Sequence, residues 1–423
     1  MQFFLSDSGA KAVVIDAGFA SYFSPETFKG TSVDLIVSVN GEASIAGVPE
    51  IRNGDDIFAA ASADFEAVRT HRDDMAFWMY SSGSTGKPKG VVHLQHDIPY
   101  IAESFGKHIL EISHEDICFS VPKVFFAYGF GNSIGFPFAV GASTVLMSGR
   151  PTPDTVYDIA ERFEPTILYG LPTLYRALID HEKFESVNLS SVRLFLSAAE
   201  ILSEEAFNTW KTRFDREIVE GLGSTEALHI YLSNRPGATK PGAAGQRVPG
   251  YEVKLTDLEG KLVAQGEEGV LWLRTDSSAP CYWNRPEKTA ETMRDDWLWT
   301  GDRFLEDEDG YFFFKGRADD LVKVSGQWVY PMEIEVCLSD HPKVKECAVF
   351  GVPLEDHRTT ILAIVSLNDA ADSGDDTTAD LQRYVKDKLL PYKYPRVVEY
   401  AAELPKTGSG KIDRQALLKA RNN

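Results

Sequence analysis

The stretch "TILYGLPTLYRALID", residues 166–180, places a short apolar run directly before an amphipathic helical pattern. The same order returns in "RLFLSAAEILSEEAFNTWKTRF", residues 193–214, where Ser203 suits a helix N-cap and Trp210 belongs to an aromatic stripe on one helical face. Buried strands that alternate with helices are typical of a parallel sheet covered by helices. We therefore predict an α/β fold of βαβ units up to about Gly223.

The pattern changes twice after Gly223. Residues 244–315 read as strands joined by turns, with Asp309 and Gly310 suited to a tight turn, which predicts an antiparallel β subdomain. After Arg317 the chain alternates strands with helices again, and the acidic run at residues 368–380 reads as a solvated loop. We predict a large domain at residues 1–316 and a small, mobile α+β domain at residues 317–423.

The composition restricts the partners of the chain. With 63 acidic and 43 basic residues the net charge is −20, which disfavours nucleic acid and anionic membrane surfaces as partners. The four cysteines lack the paired spacing of a zinc or redox site, and His93 and His96 read as structural histidines. A net-negative chain must therefore bind any anionic ligand through a local cluster of donors.

Two segments bear on membranes and secretion. The N-terminus "MQFFLSDSGAKAVV" lacks the basic and apolar regions of a signal peptide, so we expect a cytoplasmic protein. No charge occurs between Lys123 and Arg150, but glycines, Asn132 and Pro137 interrupt the run. Buried strands or helices broken by turns explain it better than a membrane span.

The stretch "YSSGSTGKPKG", residues 80–90, has the composition of a phosphate-binding loop. Its glycines let backbone N–H groups turn toward a ligand, its hydroxyl groups add donors, and its lysines offset phosphate charge. It is not a Walker loop, because Pro88 follows Lys87 where a serine or threonine is required. The loop therefore predicts a polyphosphate ligand held in another way.

The loop resembles the signature of the adenylate-forming superfamily, which includes the acyl- and aryl-CoA synthetases. "GLGSTE" (221–226), "WTGD" (299–302), "GRADDLVKVSG" (316–326) and "PKTGSGKI" (405–412) resemble later motifs of that family, in the same order. Within it, "VPKVFFAYGFGN" (121–132) and "STEALHIYLSNRPG" (224–237) are most similar to benzoate-CoA ligases. The resemblance implies that the protein uses ATP and Mg²⁺ as cofactors and coenzyme A as a co-substrate.

The resemblance also implies roles for individual residues. Lys411, Glu226, Thr85 and Lys323 would be catalytic, Glu226 would hold Mg²⁺, and Asp319 would be the hinge of the small domain. Residues expected to bind the nucleotide or coenzyme A are Ser81, Ser82, Gly83, Ser84, Thr85, Gly86, Lys89, Ala199, Glu200, Gly221, Gly223, Ser224, Thr225, Asp302, Arg317 and Gly326.

Each of these roles has a structural alternative. Glu226 would then be a helix-capping residue, Asp302 and Arg317 would be partners in ordinary ion pairs, and Asp319 and Lys411 would be solvated charges. Leu222 stands where many relatives have an aromatic residue, so the adenine would lie against an aliphatic side chain.

The acid pocket implied by the resemblance consists of six residues. The segment 125–130 also offers aromatic walls beside small residues, which suits a planar ring, although its phenylalanines could equally fill the core. His229 is a lone histidine after a loop, and such a residue is often structural. The six residues are Ala127, Tyr128, Ala198, Gly223, His229 and Ile230.

The resemblance implies an ATP-dependent ligase that activates an aromatic acid, such as benzoate or a substituted benzoate, to acyl-AMP and transfers it to coenzyme A. Transfer to a carrier protein, or an inactive fold that binds nucleotide, stay open as alternatives, as does a homodimer. The family carries a further region ahead of the segment that resembles "FFLSDSGAKAVV", which predicts an incomplete N-terminal subdomain with exposed apolar strands.

Overall fold

A computed structural model describes residues 1–48, 50–81, 88–200, 202–318, 320, 322–324, 327–354, 359–406 and 412–421. The chain begins with a small three-stranded parallel sheet in the order β1-β2-β3. Ile15, Phe23 and Ile36 form its own apolar cluster. Its elements are α1 Gln2–Ser8, β1 Ala12–Asp16, α2 Pro25–Phe28, β2 Leu35–Val39, β3 Ile51–Asn53 and α3 Gly54–Ala60.

A two-stranded antiparallel hairpin follows, formed by β4 Met75–Ser81 and β5 Lys89–Leu94. Its register pairs Ser81 with Lys89, so the stretch between these two residues connects the strands. Helix α4 Asp97–Ile101 then continues directly into a π-helical segment, Ala102–Lys107.

Asp7 joins the first helix to this hairpin and to a distant loop. Its carboxylate accepts hydrogen bonds from the hydroxyl of Tyr80 at 2.9 Å and from the guanidinium of Arg285 at 2.8 Å. The indole N–H of Trp283 donates to its backbone carbonyl at 2.8 Å, and the Trp283 ring stacks on Trp78 with centroids 4.1 Å apart. The N-terminal helix is therefore fixed beside the hairpin by one buried acid.

The centre of the molecule is a seven-stranded sheet in the order β12-β11-β10-β9-β8-β6-β7. Strands β6 to β10 run parallel, and β11 and β12 are antiparallel additions at one edge. The strands are β6 Ile117–Ser120, β7 Ser143–Val145, β8 Ile167–Gly170, β9 Leu194–Ala198, β10 Ile218–Gly223, β11 Ile230–Ser233 and β12 Gln246–Arg247; the helices are α5 Ala127–Phe130, α6 Phe136–Val140, α7 Pro153–Phe163, α8 Pro172–Ile179 and α9 Glu204–Phe214.

The βαβ prediction is confirmed in this region. The Ser203 hydroxyl accepts the amide N–H of Ala206 at 3.3 Å and caps α9, which satisfies one of the free amides at the helix start. Trp210 is fully buried against the rings of Tyr175 and Phe195, with centroids 4.8 and 5.2 Å away. The aromatic stripe of α9 therefore packs in the core on one face of the sheet.

The antiparallel subdomain is also present as predicted. The Asp307 carboxylate accepts the amides of Asp309 and Tyr311, and Gly310 adopts a φ of 78°, so the tight turn forms at the expected dipeptide. The elements are β13 Glu252–Thr256, β14 Glu268–Arg274, α10 Pro286–Thr292, β15 Met293–Arg294, β16 Trp297–Glu306 and β17 Phe312–Arg317.

The C-terminal region forms a separate α+β unit with apolar clusters of its own. Its longest helix begins at Asp375, so the second half of the acidic run 368–380 is helical and not a loop, because Asp375 and Asp376 stabilise the positive end of the helix dipole. The elements are β18 Val322–Val324, β19 Gln327–Val329, α11 Pro331–Ser339, β20 Val344–Pro353, β21 Thr359–Leu367, α12 Asp375–Lys388, β22 Val397–Tyr400 and α13 Arg414–Arg421.

The uncharged segment between Lys123 and Arg150 folds as short pieces: α5, a π-helical segment Gly131–Gly135, α6 and β7. Within the described ranges, no helix has both the length and the apolar character needed to cross a bilayer. Gly141, with φ of 76°, ends α6.

Candidate active site

The carboxyl ends of four parallel strands meet at one edge of the central sheet. The register places Gly170 of β8 beside Ser197 of β9, and Ala198 of β9 beside Gly221 of β10. Ligands of open parallel sheets bind outside this edge, since the loops that leave the strands converge there. Most of the predicted pocket and adenine residues, including Ala198, Ala199, Glu200 and Gly223, lie at or just beyond these strand ends.

The predicted acid pocket is brought together around His229. The ring of Tyr128 lies 5.6 Å from the ring of His229, and Phe136 and Phe105 lie 4.5 and 5.2 Å from it. Ile230 is 2 % exposed and Ala198 is 4 % exposed, so the surroundings are apolar. Tyr128 thus lies against His229, and Ala198 and Ile230 belong to the apolar core cluster on which Tyr128 packs.

His229 is a neutral histidine in this setting. Burial lowers the pKa of its imidazole to about 3. Its Nε2 lies 3.2 Å from Oδ1 of Asn132 and 3.3 Å from the carbonyl oxygen of Tyr128. Because the backbone partner can only accept, and Asn132 can accept at Oδ1, we assign the proton to Nε2. Nδ1 is then an acceptor, and within the described residues it has no hydrogen-bond partner.

Two glycines make room for this histidine. A Cβ atom on Gly131 would lie 2.3 Å from Cδ2 of His229, and a Cβ on Gly223 would lie 2.4 Å from the His229 carbonyl oxygen. Neither distance is compatible with a side chain at the glycine. Gly223 was predicted as a pocket and cofactor residue, and the structure indicates that it is required for close packing of the strand end against His229.

The aromatic segment 125–130 is divided between three environments. Tyr128 faces His229, Phe130 packs on Phe77 with ring centroids 4.9 Å apart, and Phe125 is 67 % exposed. Phe125 precedes α5, its side chain is largely in solvent, and its ring lies 4.6 Å from that of Phe126, so the interpretation of Phe125 as a buried wall of the ring pocket is not supported. Ala127 is partly buried against the main core.

A second group of predicted residues lies around Glu226. Its carboxylate accepts the hydroxyl of Tyr282 at 2.7 Å and lies 3.8 Å from Nζ of Lys89. Nζ of Lys89 also lies over the Tyr282 ring, 4.2 Å from its centroid. Burial and the neighbouring Glu226 raise the pKa of Tyr282, so this tyrosine remains a hydrogen-bond donor. The phosphate-loop lysine and the predicted magnesium ligand are thus neighbours.

Glu226 lies in a 3₁₀ turn, Thr225–Ala227, that follows the end of β10. The Ser224 hydroxyl accepts the amide of Ala227 and caps this turn. Ala199, at the end of β9, has a φ of 76°, a conformation that non-glycine residues adopt only where the surroundings impose it. The two loops that were predicted to frame the adenine are therefore both tightly constrained.

Asp302 and Arg317 form an ion pair across strands β16 and β17. Nη1 of Arg317 lies 2.9 Å from Oδ1 of Asp302 and donates to the Thr300 carbonyl at the same distance. The register pairs the two residues directly. This ion pair is the contact that the structural alternative describes, and the roles of the two residues in ribose binding remain a prediction.

Several predicted residues fall outside the part of the chain that the structure describes. Ser81 and Lys89 close the hairpin on either side of the phosphate loop, and the Ser81 hydroxyl is buried. Lys323 lies on β18, but its side chain is not described. The residues outside the described part are Ser82, Gly83, Ser84, Thr85, Gly86, Asp319, Gly326 and Lys411.

The sequence interpretation missed two residues that contact the site. Tyr282 donates to Glu226, and Asn132 contacts His229. Neither belongs to a periodic pattern or recognisable motif pairing, since their partners are 56 and 97 residues away. Only the "GFGN" end of the segment similar to benzoate-CoA ligases pointed toward Asn132.

Comparisons with known proteins identify relatives of the whole described fold. The chain is 42 % identical over 422 residues to the benzoate–CoA ligase of Thauera aromatica, an alignment that covers 99 % of this chain and 78 % of the relative. A crystal structure of the anthranilate CoA ligase AuaEII in complex with anthranoyl-AMP superposes with a TM-score of 0.89 at 38 % identity, covering 100 % of this chain and 80 % of that one.

A benzoate CoA ligase from Burkholderia xenovorans LB400 superposes with a TM-score of 0.86 at 35 % identity, covering 98 % of this chain and 81 % of that one. The chain thus spans about four fifths of these relatives. The model of the AMP-binding enzyme family matches residues 1–283, and that of the AMP-binding enzyme C-terminal domain matches residues 333–411. By both its sequence and its fold, this chain belongs to the family of AMP-binding, adenylate-forming enzymes.

Proposed function

We propose that the chain is an ATP-dependent ligase that converts an aromatic carboxylic acid into its coenzyme A thioester through an acyl-AMP intermediate. The observation that carries this proposal is the position of the two groups of residues. The apolar neighbourhood of His229 and the charged group of Glu226 and Lys89 flank the same strand end, that of β10. A flat apolar acid and a polyphosphate would meet there.

In the first step, one carboxylate oxygen of the acid attacks the α-phosphorus of ATP, and the bond to pyrophosphate breaks. Lys89, the residues of the loop between Ser81 and Lys89, and Lys411 would offset the negative charge that this step concentrates. Glu226 would hold Mg²⁺ as the single carboxylate ligand, since Mg²⁺ in nucleotide sites is bound by one or two carboxylates together with phosphate oxygens. Mg²⁺ supplies charge neutralisation of the phosphates when bound.

The neutral state of His229 suits the acid pocket. A protonated imidazole would attract the substrate carboxylate into the pocket, whereas a neutral ring packs against an aromatic face and leaves the carboxylate directed toward the nucleotide. Ala127, Tyr128 and Ala198 would complete the walls. Asp302 and Arg317 would bind the ribose hydroxyls, and Ala199, Glu200, Gly221, Ser224 and Thr225 would enclose the adenine.

In the second step, the thiol of coenzyme A attacks the acyl carbon, and the bond to AMP breaks. We infer that the C-terminal domain, with its boundary at residue 317, rotates about Asp319 so that Lys323 and Gly326 face the thiol. Both ATP and coenzyme A are available in the cytoplasm, and a cytoplasmic location is part of this proposal.

The test is a panel of carboxylic acids assayed for AMP release with and without coenzyme A. The panel should contain benzoate, 2-aminobenzoate, the 3- and 4-hydroxybenzoates, cyclohexanecarboxylate and a medium-chain fatty acid. We expect coenzyme A-dependent AMP release with one or more aromatic acids. Acid-dependent exchange of labelled pyrophosphate into ATP, without thioester formation on coenzyme A, would favour a carrier protein as acceptor. No exchange with any acid would refute the proposal.

A further inference from the structure

His93 is a fully buried histidine that lies outside the groups of residues described above. It stands on β5, four residues after Lys89. Its Nδ1 lies 2.8 Å from Oδ2 of Asp97, and its Nε2 lies 2.9 Å from the backbone carbonyl oxygen of Thr225. The ring of Phe77 packs beside it, with centroids 5.2 Å apart. The imidazole is therefore held from three sides.

The partners of His93 determine which way its hydrogen bonds run. The Thr225 carbonyl can only accept, so Nε2 carries a proton and donates to it. At the other nitrogen, Oδ2 of Asp97 already accepts the amide of Leu94 at 3.1 Å, so it faces Nδ1 as an acceptor as well. Donation to both partners requires an N–H at each nitrogen, and the negative carboxylate of Asp97, 2.8 Å away, balances the charge of such a ring where a neutral amide would not.

The carbonyl of Thr225 belongs to the turn that carries Glu226. The amide of Ala279 donates to the Glu226 carbonyl at 2.8 Å, and the His93 ring donates to the Thr225 carbonyl one residue earlier. The carbonyl groups on both sides of the Glu226 side chain are therefore held by hydrogen bonds. Lys89 and His93 lie on the same strand. A single rigid strand therefore sets the position of the phosphate-loop lysine and, through His93, the position of the Glu226 turn.

We propose that His93, oriented by Asp97, is a positioning residue that holds the carbonyl of Thr225 and thereby fixes the Glu226 carboxylate for binding of the magnesium complex of ATP. This inference rests on the proposed function, because it assigns Glu226 to the metal. Residues that orient a metal-binding residue without contacting the metal typically contribute a factor of about 10 to 100 in metal affinity or activity.

Two amide substitutions of different reach separate the two hydrogen bonds of His93. The amide nitrogen of glutamine can occupy the place of Nε2, so His93→Gln retains a donor to Thr225 and loses the contact with Asp97. The amide nitrogen of asparagine reaches only the place of Nδ1, so His93→Asn retains the contact with Asp97 and loses the donor to Thr225.

Asp97→Asn provides an independent test from the other side. The asparagine oxygen must accept the Leu94 amide, so it draws the proton of a neutral His93 to Nδ1 and leaves the lone pair of Nε2 facing the Thr225 carbonyl. His96→Gln is the control, because Nε2 of His96 lies 3.4 Å from Oδ1 of Asp97 but the other partners of its imidazole are the carbonyls of Arg72 and Asp276 and the carboxylate of Asp73, and none of these partners is Thr225.

The first measurement is the Mg²⁺ concentration that gives half of the maximal protection of the enzyme against thermal unfolding at a fixed ATP concentration. The second is the Mg²⁺ concentration that gives half of the maximal rate of pyrophosphate exchange. We expect His93→Asn and Asp97→Asn to raise each of these Mg²⁺ midpoints about 10- to 100-fold, whereas His93→Gln and His96→Gln remain close to the unsubstituted enzyme. Equal midpoints for His93→Asn and His93→Gln would overturn the proposal, as would an equal rise in His96→Gln.

The two measurements also separate this inference from the function on which it rests. Protection against thermal unfolding by ATP and Mg²⁺ does not require turnover, so the effect of His93 on the Mg²⁺ midpoint can be measured even where no acid supports exchange. Exchange in the unsubstituted enzyme without any change of the Mg²⁺ midpoint in His93→Asn or Asp97→Asn would retain the proposed function and refute the positioning role.

Discussion

Substitution of Gly131 by alanine tests the packing of the acid pocket directly. The new Cβ atom would lie 2.3 Å from Cδ2 and 2.8 Å from Nε2 of His229. The ring must then move, and its contacts with Asn132 and the Tyr128 carbonyl, at 3.2 and 3.3 Å, would be lost or lengthened. The backbone of Gly131 is helical, with φ of −58° and ψ of −47°, so alanine introduces no conformational strain of its own.

The same segment supplies a matched control. Gly135 is also helical, with φ of −59° and ψ of −50°, but a Cβ there would meet only Cδ1 of Ile101 at 3.4 Å and Cγ2 of Ile98 at 3.9 Å. Both alanines gain about 1 kcal/mol in helix propensity, so the difference between the variants isolates the contact with His229. Overpacking of this kind costs about 1–3 kcal/mol, which corresponds to roughly a 5- to 150-fold change in an equilibrium constant.

The assay is acid-dependent pyrophosphate exchange, with the KM for benzoate and the KM for ATP measured separately. Gly131→Ala should raise the KM for benzoate roughly 5- to 150-fold and leave the KM for ATP nearly unchanged, whereas Gly135→Ala should leave both nearly unchanged. An equal KM for benzoate in the two variants would show that the position of His229 does not govern acid binding, and the pocket would have to be sought elsewhere.

Three further substitutions address the pocket, its pH dependence and the small domain. Ala127→Phe should exclude benzoate at a cost of about 1–3 kcal/mol while ATP binding persists, and unchanged benzoate kinetics would remove Ala127 from the pocket. Burial lowers the pKa of His229 to about 3, so the neutral ring makes its full contribution to the free energy of unfolding above pH 6.5, and this contribution declines by up to about 1.4 kcal/mol per pH unit below it. Urea unfolding at several pH values should show a shallower decline of stability in His229→Gln. Equal slopes in the two proteins would contradict burial of the neutral ring. Lys411→Ala should slow acyl-adenylate formation about a thousandfold, the loss of a contact worth about 4 kcal/mol, and still form thioester from supplied benzoyl-adenylate, whereas equal losses in the two half-reactions would argue against a rotating small domain.

Local structure could be predicted from the sequence because it depends on neighbouring residues. Ser203 caps α9, and the Asp309–Gly310 turn joins β16 to β17, each at the expected position. In each case the deciding interaction spans a few residues. The resemblance placed both Asp302 and Arg317 at the ribose, and the structure pairs the two residues across β16 and β17.

The contacts that complete the site could not be predicted in this way. His93 meets Thr225 across 132 residues, and Tyr282 meets Glu226 across 56. No periodicity links such pairs, because their distance in space depends on how the hairpin, the central sheet and the loop before α10 pack together. The exposure of Phe125 has the same origin, since the burial of a residue outside a helix or strand depends on which distant segments pack over it.

The position of Asp7 has a consequence for the order in which the protein matures on the ribosome. Its partner Arg285 lies 278 residues further along the chain. At a synthesis rate of about 5–20 residues per second, roughly 14 to 56 seconds separate the emergence of the two residues. During that interval the first helix lacks its ion pair with Arg285. Its contacts between Phe3, Phe4 and the Tyr80 ring can form earlier, as soon as the hairpin has emerged. Substitution of Asp7 would therefore affect a late step of folding, and its effect would appear at the hairpin that carries Ser81 and Lys89.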